Sequence, residues 1–185
     1  MKTTSTAIID KSAQIIMNSG LEALTIPNLL LKMGIAKNEL HNQITKDDDL
    51  ILMLLLAFEN ELNTLVQEIA NTGIEPETKI KLLFKNLYSL FLQKPYYLAL
   101  IFDKSLMNRE HSIKAIMLRI KNTAETYLST LINTGKMDNT FKTKMSTKLL
   151  VGKILSSFRL LMKNEQRVNE MILELKDIRT TKKQN

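Results

Sequence analysis

No cysteine occurs among the 185 residues. Disulfides, thiolate zinc sites and cysteine nucleophiles are thereby excluded, and the absence fits a reducing cytosol. Five glycines and three prolines are too few for a loop-rich sandwich or a glycine-rich nucleotide fold. Long apolar runs are missing as well. The longest, Leu50 to Phe58, is far too short to span a bilayer. The opening "MKTTSTAIID" has no apolar core of a signal peptide, and Asp10 breaks the run. These absences predict a cytoplasmic protein with no membrane partner. Histidine occurs only at His41 and His111, so no metal site or catalytic triad can be assembled by spacing. Nucleophile elbows, phosphate loops and paired carboxylates are also missing, and the triplet Asp47–Asp49 reads as a helix start. No enzyme activity, cofactor or metal is expected.

What is present favours helices. Leu, Ile, Lys, Asn, Glu and Met dominate, hydrophobic residues make up 44% and charged residues 24%. Such a chain is long and apolar enough for a real core. Net charge is +7, but its location matters more than its sum. Through Asp49 there are five basic residues (Lys2, Lys11, Lys32, Lys37, Lys46) against six acidic ones (Asp10, Glu22, Glu39, Asp47, Asp48, Asp49). The basic surplus therefore lies in the later part of the chain.

Periodicity divides the sequence into helices with short breaks. Ile8, Ser12, Ile15 and Ile16 share one face of a first helix, closed by Gly20. Thr25 is placed to cap a second, with Pro27 in its first turn and Gly34 at its end. A third helix is predicted over 36–43. "TKDDDL" then opens a long helix through Ala70. Thr45 and Asp48 match a capping pattern, and the aspartates sit at the positive end of the helix dipole. Further helices are predicted near 77–93, 96–107, 109–134, 141–163 and 166–179, with "NTGKMDNT" as a break. The fold class is all-α, about nine helices.

The stretch "IIDKSAQIIMNSGLEALTIPNLLLKMGIAKNELHNQITKDDDL" resembles the N-terminal signature of the TetR/AcrR transcriptional regulators. Ile8, Ile9, Asp10, Ile15, Ile16, Gly20, Leu21, Thr25, Ile26, Leu29, Gly34, Ile35, Leu40, Ile44, Lys46 and Leu50 carry the likeness in order and without gaps. It covers about the first quarter of the chain. The resemblance implies a helix-turn-helix DNA-binding domain over 1–46 and a helical regulatory and dimerisation domain over 47–185. Gly34 would supply the φ > 0 of the turn, while Ile35 and Leu40 would pin the third helix. Lys37, Asn38, His41 and Asn42 would face the major groove. Thr25 and Lys46 would hold phosphates, which position without specifying.

Several positions depart from the family pattern. Leu30 stands where an alanine is usual, and overpacking costs typically about 1–3 kcal/mol unless compensated. Ala36 replaces a serine cap, His41 a tyrosine and Ile44 a phenylalanine, and Leu31 lies on a face often polar or basic. With the near-neutral N-terminal segment, Leu30 and Leu31 motivate a second reading. In it, a TetR-like fold binds lipid or another small ligand, or a protein, without binding DNA.

The resemblance further implies a double-stranded DNA partner, a small apolar effector and a homodimer. Aromatic and methionine side chains at Phe84, Tyr88, Phe91, Tyr97, Phe102, Met107, Met117 and Tyr127 are the candidate pocket lining, their plain alternative being helical core. Leu150, Ile154, Phe158 and Leu161 form an apolar stripe with Leu149 in the penultimate helical segment, and Met171, Ile172, Leu175 and Ile178 form one in the last. Leu150, Ile154, Phe158, Leu161, Met171 and Leu175 are the expected dimer interface, with intrachain core as the alternative.

Overall fold

Ile8, Ser12, Ile15 and Ile16 form the buried face of α1 (Ser5–Ser19), as their 3.6-residue spacing dictates. The computed structural model of the protein describes residues 5–40 and 44–177. Gly20 ends α1 at φ 83°, its N–H on the Ile16 carbonyl at 2.9 Å. There follow α2 (Ile26–Met33), α3 (Asp47–Ala70), α4 (Pro76–Gln93), α5 (Tyr96–Ile101), α6 (His111–Met137), α7 (Thr147–Ser156), α8 (Phe158–Met162) and α9 (Glu165–Leu175). Among the described residues the protein is all-α, with no strand. No described helix is long and apolar enough to cross a membrane.

The chain forms two compact units, residues 1–62 with 90–120, and residues 63–89 with 121–185. In the first, α1 packs against α2 and α5. Ile8, Leu29, Leu50, Leu54, Tyr97 and Leu100 are fully buried there, each apolar side chain contributing about 1.5–3 kcal/mol by leaving water. The Phe58 ring stacks obliquely on Tyr97 at 4.9 Å and on Phe91 at 5.8 Å. Polar side chains brace the same unit. Tyr97 donates its hydroxyl hydrogen to Glu61 at 2.7 Å, and Arg119 grips both Glu59 oxygens at 2.7 and 2.8 Å.

In the second unit Ile69, Ile80, Ile132, Ile154, Ile172 and Leu175 are buried. The Phe84 ring lies 6.0 Å from that of Phe158. Helix boundaries differ from expectation at three places, each with a local cause. Gly135 does not break α6, which runs on to Met137. A Cβ at Gly135 would sit 2.2 Å from the Phe141 ring, so glycine is there for close approach within a helix. The helix expected from Phe141 begins only at Thr147, where the Ser146 hydroxyl accepts the Leu149 N–H at 3.3 Å, and it breaks at Ser157. The helix expected over 96–107 is α5 followed by a 3-10 turn over Lys104–Asn108, opened by Asp103 accepting the Ser105 N–H at 2.8 Å. Ile178 and the tail beyond it lie outside the described residues.

Candidate nucleic-acid interface

The first turn of α2 leaves few backbone donors free. Ile26 donates its N–H to Asp47 Oδ1 at 2.7 Å, Pro27 has no N–H, and Asn28 donates to the Thr25 hydroxyl oxygen at 3.3 Å. The helical ladder then starts with Leu29 on the Thr25 carbonyl at 2.9 Å. Thr25 is thus a cap, as expected. Its hydroxyl accepts from Asn28 and keeps its own hydrogen to donate.

At the other end Gly34 takes φ 67° and ψ 34°, the left-handed conformation the turn requires, with its N–H on Leu30 at 2.9 Å. Beyond it the structure corrects the sequence reading. The helix expected over 36–43 is, in its described part, a 3-10 turn over Lys37–Glu39, and Leu40 is already extended at φ −69° and ψ 147°. Ala36 explains the weak start, since its methyl group cannot accept an N–H. Glu39 compensates in part by turning back to accept the Ala36 N–H at 2.9 Å. Lys37 and Asn38 are exposed, while Leu40 and Ile44 are buried and anchor the segment. His41 and Asn42 lie outside the described residues. Leu30 is half-buried, and Leu31 is 83% exposed.

The three aspartates have three different tasks. Asp47 caps α2, as described above. Asp48 takes the Arg109 guanidinium at 2.8 Å, which also lies 3.7 Å from Glu22. Asp49, not Asp48, closes the turn into α3. It accepts the Thr45 N–H at 2.8 Å, the Thr45 hydroxyl at 2.9 Å and the Lys46 N–H at 3.1 Å. Partial burial alone would raise its pKa; these donors outweigh burial and hold it below its ordinary value. Lys46, expected on phosphate, is ion-paired with Glu110. That hydrogen bond pushes the lysine pKa up. Spacing could not reveal Arg109 and Glu110 as partners of this region, because they are about sixty residues away in the chain.

No protein-family model matches the sequence, and no curated protein matches it. Solved structures do. The TetR family transcriptional regulator PfmR of Thermus thermophilus is 13% identical, with a TM-score of 0.76 over 94% of this chain and 99% of that one. The ketosteroid transcriptional regulator of Mycobacterium tuberculosis is 13% identical, at 0.75 over 96% and 95%. The regulator FadR of Bacillus subtilis, solved in complex with stearoyl-CoA, is 14% identical, at 0.71 over 96% and 100%. The chain has the TetR/AcrR fold.

Within this TetR/AcrR fold the candidate aromatic and methionine side chains belong to both units. In the first unit Phe91 and Tyr97 are buried against Phe58 as core, while Phe102, Met107 and Met117 are half-buried. Burial pushes the Tyr97 hydroxyl pKa well up, and its bond to Glu61 adds to the shift. In the second unit Phe84 and Tyr88 line a groove of about 470 Å³ between α4 and the α8–α9 corner. Tyr127 is also in that unit, 7% exposed, and its buried hydroxyl has no hydrogen-bond partner. Burial pushes its pKa up to about 12.

The side chains expected at a dimer interface are distributed as follows in the single chain. Leu150, Ile154, Leu161 and Leu175 are buried in their own unit, and Phe158 faces Phe84. Phe158 and Met171 are half-buried, Met171 beside a small surface depression. Most of the stripe on α7 and α8 is intrachain core. The face left outside carries Leu149 (58% exposed), Gly152, Ser156 and Leu160 (55% exposed).

Proposed function

We propose that this protein is a ligand-responsive, DNA-binding transcriptional regulator, a repressor acting in the cytoplasm as a homodimer on a near-palindromic operator. The observation that carries the reading is the capped α2, the left-handed Gly34 and the exposed Lys37–Asn38 that follow one another in a chain with the TetR/AcrR fold. Residues 1–46 would read DNA and 47–185 would regulate. Lys37, Asn38, His41 and Asn42 would enter the major groove, with Thr25 and Lys46 on phosphate. Two copies would address grooves about 34–36 Å apart, or at a related spacing. The second copy would pack on α7–α9, where Leu150, Ile154, Phe158, Leu161, Met171 and Leu175 are the expected interface; Leu149 and Leu160 are exposed there, and the small, exposed Gly152 and Ser156 would permit close helix approach. A small apolar effector would act by binding one dimer geometry better than the other. The stearoyl-CoA complex of the Bacillus subtilis regulator supports an effector with an apolar chain.

The test is DNA affinity measured across salt, with random duplex and with a sequence selected from a random pool. A regulator shows log affinity falling linearly with log salt. Lys37→Ala should lower that slope by about one per bound subunit. A dimer with no salt-dependent affinity at low salt would refute the proposal.

Leu31 at 83% exposure favours a second reading. An apolar side chain on the outer side of α2 suits a protein or lipid contact better than a phosphate backbone. Leu31→Lys separates the two, strengthening DNA binding in a reader and restoring nothing in a fold that has left DNA.

A further inference from the structure

The groove between α4 and the α8–α9 corner has a lining that the general apolar-effector reading does not require. Its floor is apolar: Phe84, Leu161, Met162 and Val168 are buried beneath it, and Tyr88 stands 41% exposed at its edge. Its rim is basic. Lys81, Lys85 and Lys163 line it against a single acidic side chain, Glu165. Lys81 is already held by Glu77 at 3.0 Å on the same helix, which leaves Lys85 and Lys163 as the exposed cations facing the opening. Lys81, Lys85 and Tyr88 recur at helical spacing on one face of α4, so the charge and the aromatic edge are presented together. The first turn of α9 reaches the same groove through Asn164 and Glu165, adding the positive end of a helix dipole. A volume of about 470 Å³ lies within the roughly 300–1,000 Å³ of small-molecule sites.

We infer that this groove binds a small amphipathic anion, one alkyl chain lying on the Phe84–Met162–Val168 floor and a carboxylate or phosphate head between Lys85 and Lys163. A neutral apolar ligand would leave the lysines unused. A bare anion would leave the apolar part of the lining, with Leu82 and the exposed Tyr88 edge, without an apolar partner. Only a molecule with both parts satisfies the lining, and the lysines then gain a partner without a buried charge being left unpaired. This rests on the effector reading above only for its regulatory consequence; binding itself does not depend on DNA.

The experiment is calorimetric titration of the full-length protein, below micellar concentration, with decanoate, decyl phosphate, decanol and inorganic phosphate. The two amphipathic anions should bind at one site per chain, decanol at least tenfold more weakly, and phosphate alone not measurably. Adding two methylenes to the favoured anion should tighten binding, about fourfold for each methylene that becomes buried. Preference for decanoate or for decyl phosphate identifies the head group and supports the site in either case. Lys85→Glu/Lys163→Glu, both at exposed positions, should weaken the anions at least tenfold while leaving decanol unchanged and the thermal midpoint near that of the parent. Val168→Trp, filling the floor, should weaken all three chains. Equal binding of decanol and decanoate, binding unaffected by the lysine pair, or no binding of either anion would each overturn the assignment. If the anions bind but DNA never does, the regulator reading fails and the groove stands; if DNA binds and the anions do not, the reverse holds.

Discussion

The two compact units divide the charge unequally. By sequence, residues 1–62 with 90–120 hold ten basic and ten acidic side chains, whereas residues 63–89 with 121–185 hold sixteen basic and nine acidic. The whole net charge of +7 therefore lies in the unit that does not contain α1, α2 and the Gly34 turn. Many of the charges of the first unit are engaged in holding it together: Asp47 on a backbone N–H, Asp48 on Arg109, Asp49 on Thr45 and Lys46, Lys46 on Glu110, Glu59 on Arg119. In the second unit Glu77 takes both Lys81 and Lys176, and Lys153 pairs with Glu174, yet lysines remain in excess. The lesson concerns where charge is available. On the proposed function, the neutral first unit would bind DNA through a few placed groups, its affinity coming from geometry, while the second unit has positive charge to offer an anionic ligand.

Packing in the second unit gives the largest expected effect. Gly135→Ala puts a methyl group 2.2 Å from the Phe141 ring and should destabilise by about 1–3 kcal/mol. Gly152→Ala, with no atom of its own chain within 4 Å, should be neutral or stabilise the subunit by up to about 1 kcal/mol through helix propensity, any loss being confined to dimer affinity. Paired thermal melts check this, and equal effects at the two glycines would show that the Phe141 contact is not close in solution.

The polar bracing of the first unit comes next. Asp49→Asn should cost about 1 kcal/mol at neutral pH, as loss of a helix-start acceptor does. Because the folded-state pKa of Asp49 lies below the ordinary 3.8, its contribution is complete above that value and is lost as pH falls through the lower folded value. Denaturant titrations of both proteins should differ at about pH 4 and above and converge only as pH falls below the lowered folded-state value; a gap that persists below it would mean that the ionised carboxylate is not what stabilises the turn.

An exception within the second unit offers a smaller test. The Tyr127 hydroxyl is buried without a partner, so Tyr127→Phe should leave stability unchanged or raise it by up to about 1 kcal/mol. A loss larger than that, seen in melts without ligand, would show that the hydroxyl is satisfied after all.

The smallest effect sharpens the contrast most directly. Glu110→Gln frees Lys46 on an exposed surface, and exposed ion pairs are worth little to the fold. The melting midpoint should not move, whereas DNA affinity at low salt should rise two- to fivefold, on the order of one more phosphate contact. Unchanged affinity would place Lys46 away from the phosphate backbone.

Much of the fold was legible in the sequence. The α1 face, the Thr25 cap, the Gly34 turn and the helical character of the chain follow from local rules: side-chain spacing, an acceptor before a helix, a residue tolerant of φ > 0. The segment after Gly34 was legible only in part. Ala36 signalled a poor start, but the extension of Leu40 depends on what holds the chain beyond it. On α7 and α8 the sequence offered one apolar stripe that suited either a partner or intrachain core, and no means of choosing between them.

By itself, then, the sequence determined an all-α chain, the positions of its first turns and the exclusion of cysteine chemistry, because these depend on residues within a few positions of one another. Tertiary structure alone decided the rest. It assigned three consecutive aspartates to three partners, placed Leu150 and Ile154 inside and Leu149 and Leu160 outside, and set lysines of α4 beside the α8–α9 corner. Those outcomes depend on which distant segments meet, and a contact across sixty residues leaves no mark in local spacing.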